Sequence, residues 1–433
     1  MDLTVIGILG ICLLLLFIAV GVPIGFSMAI VGILGLMYVT DIPQTLTQVS
    51  MTVWHRGTEF TMLCLPLFIL MGQLVCNTGI GSELYDCVEK WFGRLPGGLA
   101  IATVAGCAVF GSMTGGSVPA IAVFGPMALP EMGKFGYDNR LSTGSLSFAG
   151  TLSVLIPPSF CMVFYGILTD TSIGSLFIAG IIPGIIMSIA VSVMIYIRCS
   201  FNPTVGPKGP KFSWKARFAS LTKLLPATIL FVLVIGGIYG GFCSPTEASG
   251  IGVFGVFIIS LLMKRLDWEK LKRSLREAGV VSSMVFVIII GAFLISRFLV
   301  ITEVTSGLMD YISRLHIHRY VLIVIFVVIY LILGAVLDAW GMLILTIPFM
   351  FPIAVNHGFD PVWFGIFVTI MTELALVTPP IGINIFLIHD LVPEVPLPQL
   401  FVGIVPFVSI ALLMVGLLTL FPGIALWLVS VSV

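Results

Sequence analysis

Apolar runs of about 17 to 25 residues, the length that crosses a bilayer as a helix, alternate with short polar stretches along this chain. They fall at roughly 3–20, 22–39, 60–77, 97–133, 141–168, 173–198, 225–243, 246–263, 280–300, 320–352, 361–389 and 398–428. None alternates strictly, and a hydrocarbon core offers no water to backbone groups, so the spans must be helices rather than barrel strands. The predicted fold class is an all-α polytopic membrane protein. The runs 97–133 and 320–352 are too long for one straight crossing and carry Gly or Asp midway, which predicts re-entrant hairpins. Each arm, ~17 residues at 1.5 Å per residue, falls somewhat short of a ~30 Å core. Leu46, Val49 and Val53, and again Trp268, Leu271 and Leu275, have the spacing of helices lying along the membrane surface.

Composition agrees: 59% of the 433 residues are hydrophobic and 9% charged, with a mean hydropathy of +1.19, outside the range of soluble domains. The net charge of zero carries no information, but its distribution does. With residue 1 outside and each hairpin returning to its own side, 16 of the 20 Lys and Arg fall inside, and only Arg56, Arg297, Arg314 and Arg319 fall outside. Both termini are then predicted on the periplasmic face. No Lys or Arg precedes the first apolar stretch and no A-x-A-like site follows it, so it reads as two permanent spans. Eight cysteines without a C-x-x-C pair read as small packing residues.

Prolines reveal an internal repeat. Pro23, Pro126, Pro130, Pro157 and Pro158 recur 222 residues later as Pro245, Pro348, Pro352, Pro379 and Pro380, and Gly136 and Asp138 recur as Gly358 and Asp360. Each half carries five crossings and one hairpin. An odd number inverts the second copy, and inverted repeats with broken helices are the architecture of secondary transporters. The predicted organisation is scaffold spans and a surface arm helix at 1–59, a transport part at 60–198, a cytoplasmic linker at 199–224, a second scaffold and arm at 225–279, and a second transport part at 280–433.

Candidate chemistry concentrates at the breaks. Pro157 and Pro158 lack N–H groups and would free the carbonyls of Ser153 and Val154; Pro379 and Pro380 would free those of Ala375 and Leu376. A plain proline kink is the alternative, but recurrence in both copies beside hydroxyls and an amide favours binding. The first hairpin turns at Gly111 to Ser117 and the second around Gly334 to Gly341, where glycine allows a tight turn and oxygens can ligate a hard cation. One sodium site is expected in each copy: Ser112, Thr114, Ser117 and carbonyls near Ser153 in the first; Asp338, Thr378, Asn384 and carbonyls near Ala375 in the second. Ser112, Gly115, Gly116, Ser159 and Gly382 are the candidate solute contacts. Among the intramembrane acids, Asp338 and Glu373 are functional candidates. Glu247, beside Pro245, suits a helix N-terminus, and His316 and His318 fall in a periplasmic loop.

The runs Leu65-Pro66-Leu67-Phe68-Ile69-Leu70-Met71-Gly72, Leu155-Ile156-Pro157-Pro158-Ser159, Leu176-Phe177-Ile178-Ala179-Gly180, Ser244-Pro245-Thr246-Glu247-Ala248 and Thr378-Pro379-Pro380-Ile381-Gly382-Ile383-Asn384 resemble, in order, those of the large membrane subunit of tripartite ATP-independent periplasmic (TRAP) transporters. The resemblance implies a sodium-coupled elevator in a bacterial inner membrane, a separate small four-helix membrane subunit, a periplasmic substrate-binding protein and an organic acid solute such as a C4-dicarboxylate, sialic acid or another sugar acid. No nucleic acid partner is expected. One departure stands at Thr114-Gly115-Gly116-Ser117-Val118-Pro119, where Gly116 replaces a hydroxyl residue usual in the family.

A stand-alone anion symporter of the same superfamily would share the repeat and the hairpins without needing partners. A membrane-embedded enzyme would require a catalytic motif such as H-E-x-x-H or G-x-S-x-G, and neither occurs. A channel has no need of two symmetric broken helices, and an ATP-driven permease would need an ATPase docking loop. The identity of the solute is not written in the spans.

Overall fold

The structure, a computed structural model, describes residues 2–315, 317–334, 337–379 and 382–432. Readings that fall on His316, Ala335, Val336, Pro380 and Ile381 lie outside the described residues. The described chain is helical throughout, without a strand.

The first half runs through α1 (Leu3–Ala19), α2 (Ile24–Val39), α3 (Ile42–Thr58), α4 (Cys64–Asn77), α5 (Ile80–Phe92), α6 (Gly98–Thr114), α7 (Ser117–Lys134), α8 (Asn139–Leu155), α9 (Phe160–Thr169) and α10 (Ile173–Phe201). The second follows as α11 (Trp214–Tyr239), α12 (Pro245–Leu262), α13 (Trp268–Ile301), α14 (Val304–Arg314), α15 (Arg319–Leu333), α16 (Ala339–Asn356), α17 (Pro361–Ala375), α18 (Ile383–Leu391), α19 (Leu397–Leu420) and α20 (Gly423–Ser432). Seven of the described helices are long and apolar enough to cross a membrane, and α8 with α9 makes an eighth when the pair is counted as one span bent by 43°. Helix boundaries recur at the 222-residue offset: α7 at 117–134 and α16 at 339–356 match residue for residue, and α8, α9 and α10 are followed by α17, α18 and α19 within a few residues.

Local chemistry sets these boundaries. Asp138 and Asp360, one repeat apart, each cap a helix by accepting from backbone N–H groups, at 2.7 Å from Arg140 and at 2.8 Å from Val362. Ser244 and Glu247 form a reciprocal capping box with Pro245 at the first helical position, so Glu247 serves the helix N-terminus. Inside α8 and α17 nearly every side chain is buried, from Leu141 to Leu155 and from Trp363 to Ala375. These two helices form the centre of the molecule, and the hairpins pack around them.

The structure corrects several boundaries. The second surface arm is not a separate element: α13 runs unbroken for 34 residues, across the boundary drawn at 279/280, because no proline interrupts it. The first arm, α3, does end separately, at the extended residue Glu59. The last span is broken in two around Phe421 and Pro422. The linker at 199–224 is partly helical, since α11 begins at Trp214. Two amphipathic helices, α5 and α14, lie outside the apolar runs. Leu46 and Val53 on the first arm are exposed, with no part of the chain over them, as a helix lying in the interface requires; Trp268 and Leu275 are exposed too, on the start of α13. The eight cysteines are all free.

Candidate functional site

In each half, a hairpin turn is pressed against a break in the central helix. α6 ends where Gly115 takes a left-handed conformation (φ +65°), and α7 starts at Ser117. The turn rests on α8 and the segment after it. The Ser153 hydroxyl shares its one hydrogen between the Gly150 carbonyl of its own helix at 2.6 Å and the Gly116 carbonyl of the turn at 3.0 Å, and the Phe160 N–H donates to the Gly115 carbonyl at 3.2 Å. A Cβ on Gly115 would lie 2.9 Å from the Pro158 carbonyl oxygen, so the left-handed turn and the close approach both require glycine. The Ser112 hydroxyl donates to the Val109 carbonyl at 2.6 Å and that of Thr114 to Phe110 at 3.2 Å. Their hydrogens are thereby spent, and their oxygens offer only lone pairs.

The second half repeats the arrangement. Gly334, at the end of α15, packs on Ala375 at the end of α17. Asp338 caps α16, its carboxylate accepting from the Gly341 N–H at 3.0 Å. After α17 the chain unwinds: Thr378 donates its hydroxyl to the Ala375 carbonyl at 3.2 Å, and Gly382 (φ +56°) leads into α18. The Asn384 N–H donates to the Leu376 carbonyl at 3.1 Å. The carbonyls of Ala375 and Leu376 are therefore not freed by the prolines as the sequence predicts, because the unwound chain turns back and supplies them with donors. The Asn384 side chain is fully buried, yet neither its oxygen nor its nitrogen has a protein partner.

Both breaks face one cavity of about 410 Å³, bordered by Thr114, Gly115, Gly116 and Ser117 from the first hairpin, Asp338 and Trp340 from the second, and Glu373 from α17. Four helices, α7, α9, α16 and α18, present their first residues there: Ser117, Phe160, Ala339 and Ile383. Gln73 and Val281 border both this cavity and a second opening of about 630 Å³ carrying Lys272, Arg273 and Arg276. The two spaces are thus neighbours, with Gln73 and Val281 between them. Among the described residues no group of three or more His, Cys, Asp or Glu stands together; the polar groups bordering the cavity are hydroxyls, an amide and single carboxylates.

Of the residues singled out in the sequence, Thr114, Gly115, Gly116, Ser117 and Asp338 line the cavity itself. Ser112 and Ser153 are buried close behind the first turn, and Ala375, Thr378 and Asn384 behind the second break. Ser159 does not line it: its side chain caps α9, accepting from the Met162 N–H at 3.4 Å. Trp340, Phe160 and Gln73 also line the cavity and carried no signal in the sequence beyond their nearness to the breaks.

The chain matches the family model described as "Tripartite ATP-independent periplasmic transporter, DctM component" over residues 11–424. It is similar to the C4-dicarboxylate TRAP transporter large permease protein DctM of Pseudomonas aeruginosa, with 30% identity over 385 residues, 89% of this chain and 90% of that protein. It is also similar to the sialic acid TRAP transporter large permease protein SiaM of Vibrio cholerae, with 27% identity over 413 residues, 94% of this chain and 95% of that protein. Among solved structures, the Alcanivorax borkumensis YdaH transporter shares the fold, with a TM-score of 0.61 at 14% identity over 89% of each chain. An all-helical chain with paired broken helices, matched almost end to end by this model, belongs to the TRAP transporter family as a large permease subunit, the DctM component.

Proposed function

We propose that this subunit imports an organic acid by coupling it to sodium, with the solute delivered by a periplasmic binding protein and the membrane complex completed by a small four-helix subunit. The observation that carries the reading is the cavity of about 410 Å³ on which both hairpin turns and both helix breaks converge. Its lining includes two carboxylates, Asp338 and Glu373, and no Lys, Arg or His. An anionic solute is repelled from such a cavity until cations enter, and that repulsion is a physical source of coupling. The starts of four helices add positive potential at the same place.

Two sodium sites follow from the two breaks. The first uses Ser112, Thr114, Ser117 and the carbonyl at Ser153; the second uses the side-chain oxygens of Asp338, Thr378 and Asn384. Gly115 and Gly116 would contact solute between them; Ser112 and Gly382, which do not line the cavity, would support the turn and the break behind it, and Ser159 would orient α9. The two copies run in opposite membrane senses, with the hairpin-bearing parts moving as one block against the arms. The opening past Gln73 toward Arg273 and Arg276 is the exit on the cytoplasmic side.

The test is solute uptake into proteoliposomes carrying both membrane subunits, supplied with the binding protein, under an imposed sodium gradient. Uptake that follows sodium and stops when the binding protein is omitted is the expected result. Uptake driven by ATP or protons alone would remove the coupling, and full uptake by this chain alone would remove the partners.

A further inference from the structure

Thr151 and Glu373 stand 222 residues apart, the offset that relates the two copies, and the same offset relates Ser147 to Thr369. In the structure Thr151 and Glu373 meet. Thr151 on α8 and Thr369 and Glu373 on α17 line one small cavity of about 20 Å³, whose other walls are apolar, among them Phe148, Leu152 and Met187. A space of that size takes one water-sized body. Glu373 also borders the large cavity, so its carboxyl group separates the two.

The oxygens of the small cavity accept but do not donate. The Thr151 hydroxyl gives its hydrogen to the Phe148 carbonyl at 2.8 Å, and the Thr369 hydroxyl gives its own to Gly365 at 2.8 Å. A hydroxyl has one hydrogen, so both threonines are left with lone pairs only. One carboxylate oxygen of Glu373 is buried without any partner, and so is the hydroxyl of Ser147, one turn from Thr151. Neither cavity is lined by Lys, Arg or His. A carboxylate among acceptors in the middle of a membrane protein is strongly unfavourable unless a positive charge answers it.

We infer that this cavity is a third cation site, taking one dehydrated sodium-sized monovalent ion between the Glu373 carboxylate and the Thr151 and Thr369 hydroxyl oxygens. It is distinct from the two sites at the breaks in its threonines, which lie inside unbroken helix, while Glu373, hydrogen-bonded to Ser117, sets it beside the first. Its ligands come from equivalent positions of both copies, so it sits at the interface between them, and its ion offsets the Glu373 charge that an anionic solute would otherwise meet. The inference rests on the cation-coupled reading given above.

The experiment is equilibrium binding of sodium-22 to the chain purified with its small membrane subunit, comparing wild type with Glu373→Gln, Thr151→Val and Thr369→Val. Glu373→Gln should bind one sodium ion fewer per chain. Each near-isosteric Thr→Val change, which keeps the packing and removes one ligand, should weaken one class of sodium binding about tenfold. Full sodium binding with unchanged affinity in Glu373→Gln overturns the site. Full sodium binding with loss of proton uptake in that variant also overturns it, and gives the carboxyl group a proton instead. If Glu373→Gln does not fold, unchanged affinity in both threonine variants overturns it equally. Absence of any sodium binding by the wild type removes the coupling reading itself, and this site with it.

Discussion

Gly111 on the first hairpin lies so close to Ser153 on the central helix that a Cβ built on it would stand 2.2 Å from the Ser153 carbonyl oxygen. The second copy has the same contact one residue out of register: a Cβ on Gly334 would stand 2.2 Å from that of Ala375, and Ala375 is the counterpart of Ser153. In both copies hairpin backbone touches central-helix backbone just before the break. Gly111→Ala should therefore push the hairpin off its seat, at a cost on the order of the 1–3 kcal/mol of an overpacked core. Uptake should fall steeply and the melting temperature should drop. Gly133→Ala, on the same hairpin where a Cβ meets nothing within 4 Å, should leave both unchanged; equal effects from the two would dismiss the contact as a determinant.

Asn384 presents a different kind of test. Its amide is buried with both ends unpartnered, so a purely structural role predicts that Asn384→Ala relieves a desolvation penalty and raises stability without sodium. A ligand role predicts in addition that sodium no longer raises the melting temperature as it does in wild type. Ser117→Ala should likewise blunt the sodium response before it lowers expression. Sodium protection of wild-type size in both variants would remove these residues from the site.

Orientation can be read chemically. The positive-inside pattern predicts residues 203–215 and 264–276 in the cytoplasm and the segment 314–319 on the opposite face. A cysteine replacing Lys211 should react with an impermeant reagent only after the membrane is opened. One replacing Arg314 should react in intact cells, and a reversal of the pair would turn the whole topology over.

Acid should test a polar clamp on the face that carries the basic loops. Asp86 on α5 accepts from Lys223 at 2.5 Å and from Lys90 at 2.8 Å, tying the end of the linker to α5. Partial burial raises the Asp86 carboxyl, but the two lysines outweigh it and hold it below the usual carboxylate range. A lowered folded value means the stabilisation is complete above that range and lost only as pH falls through it. Hydrogen exchange of residues 208–223 should therefore be equally protected at pH 7 and pH 5 after correction for intrinsic rates, while Asp86→Asn should expose it at both. Protection lost by pH 5 in the wild type would contradict the clamp.

The breaks were the most legible part of the sequence. Glycine at 115 permits the left-handed turn and the proline pair at 157 and 158 cannot continue the helical hydrogen bonds, so they mark turn and break residue by residue. The amphipathic helices α5 and α14 were not seen, because Glu83, Asp86, Glu89 and Lys90 dilute the apolar face that buries Leu84, Cys87 and Val88; a search at helical period, rather than for apolar runs, would have found them. The continuity of α13 was hidden for the opposite reason. Its polar start and apolar remainder read as two elements, although no residue between them stops a helix. The meeting of Thr151 with Glu373 is not visible in either helix alone, since it depends on how α8 and α17 face each other.

That unbroken α13 gives the two halves unequal stiffness. At ~1.5 Å per residue its 34 residues reach about 50 Å, well beyond a ~30 Å hydrocarbon core, so the second arm is the protruding end of a girder and tilts only when the span beneath it tilts. The first arm meets its span through the extended Glu59, a joint that leaves its angle free. The loose arm is nevertheless moored to the rigid one, because Arg56 near its end pairs with Glu59 and lies 3.8 Å over the ring of Phe293 on α13. The halves thus share a sequence plan but not a mechanical one: one bends at a knuckle, and the other transmits force along its length.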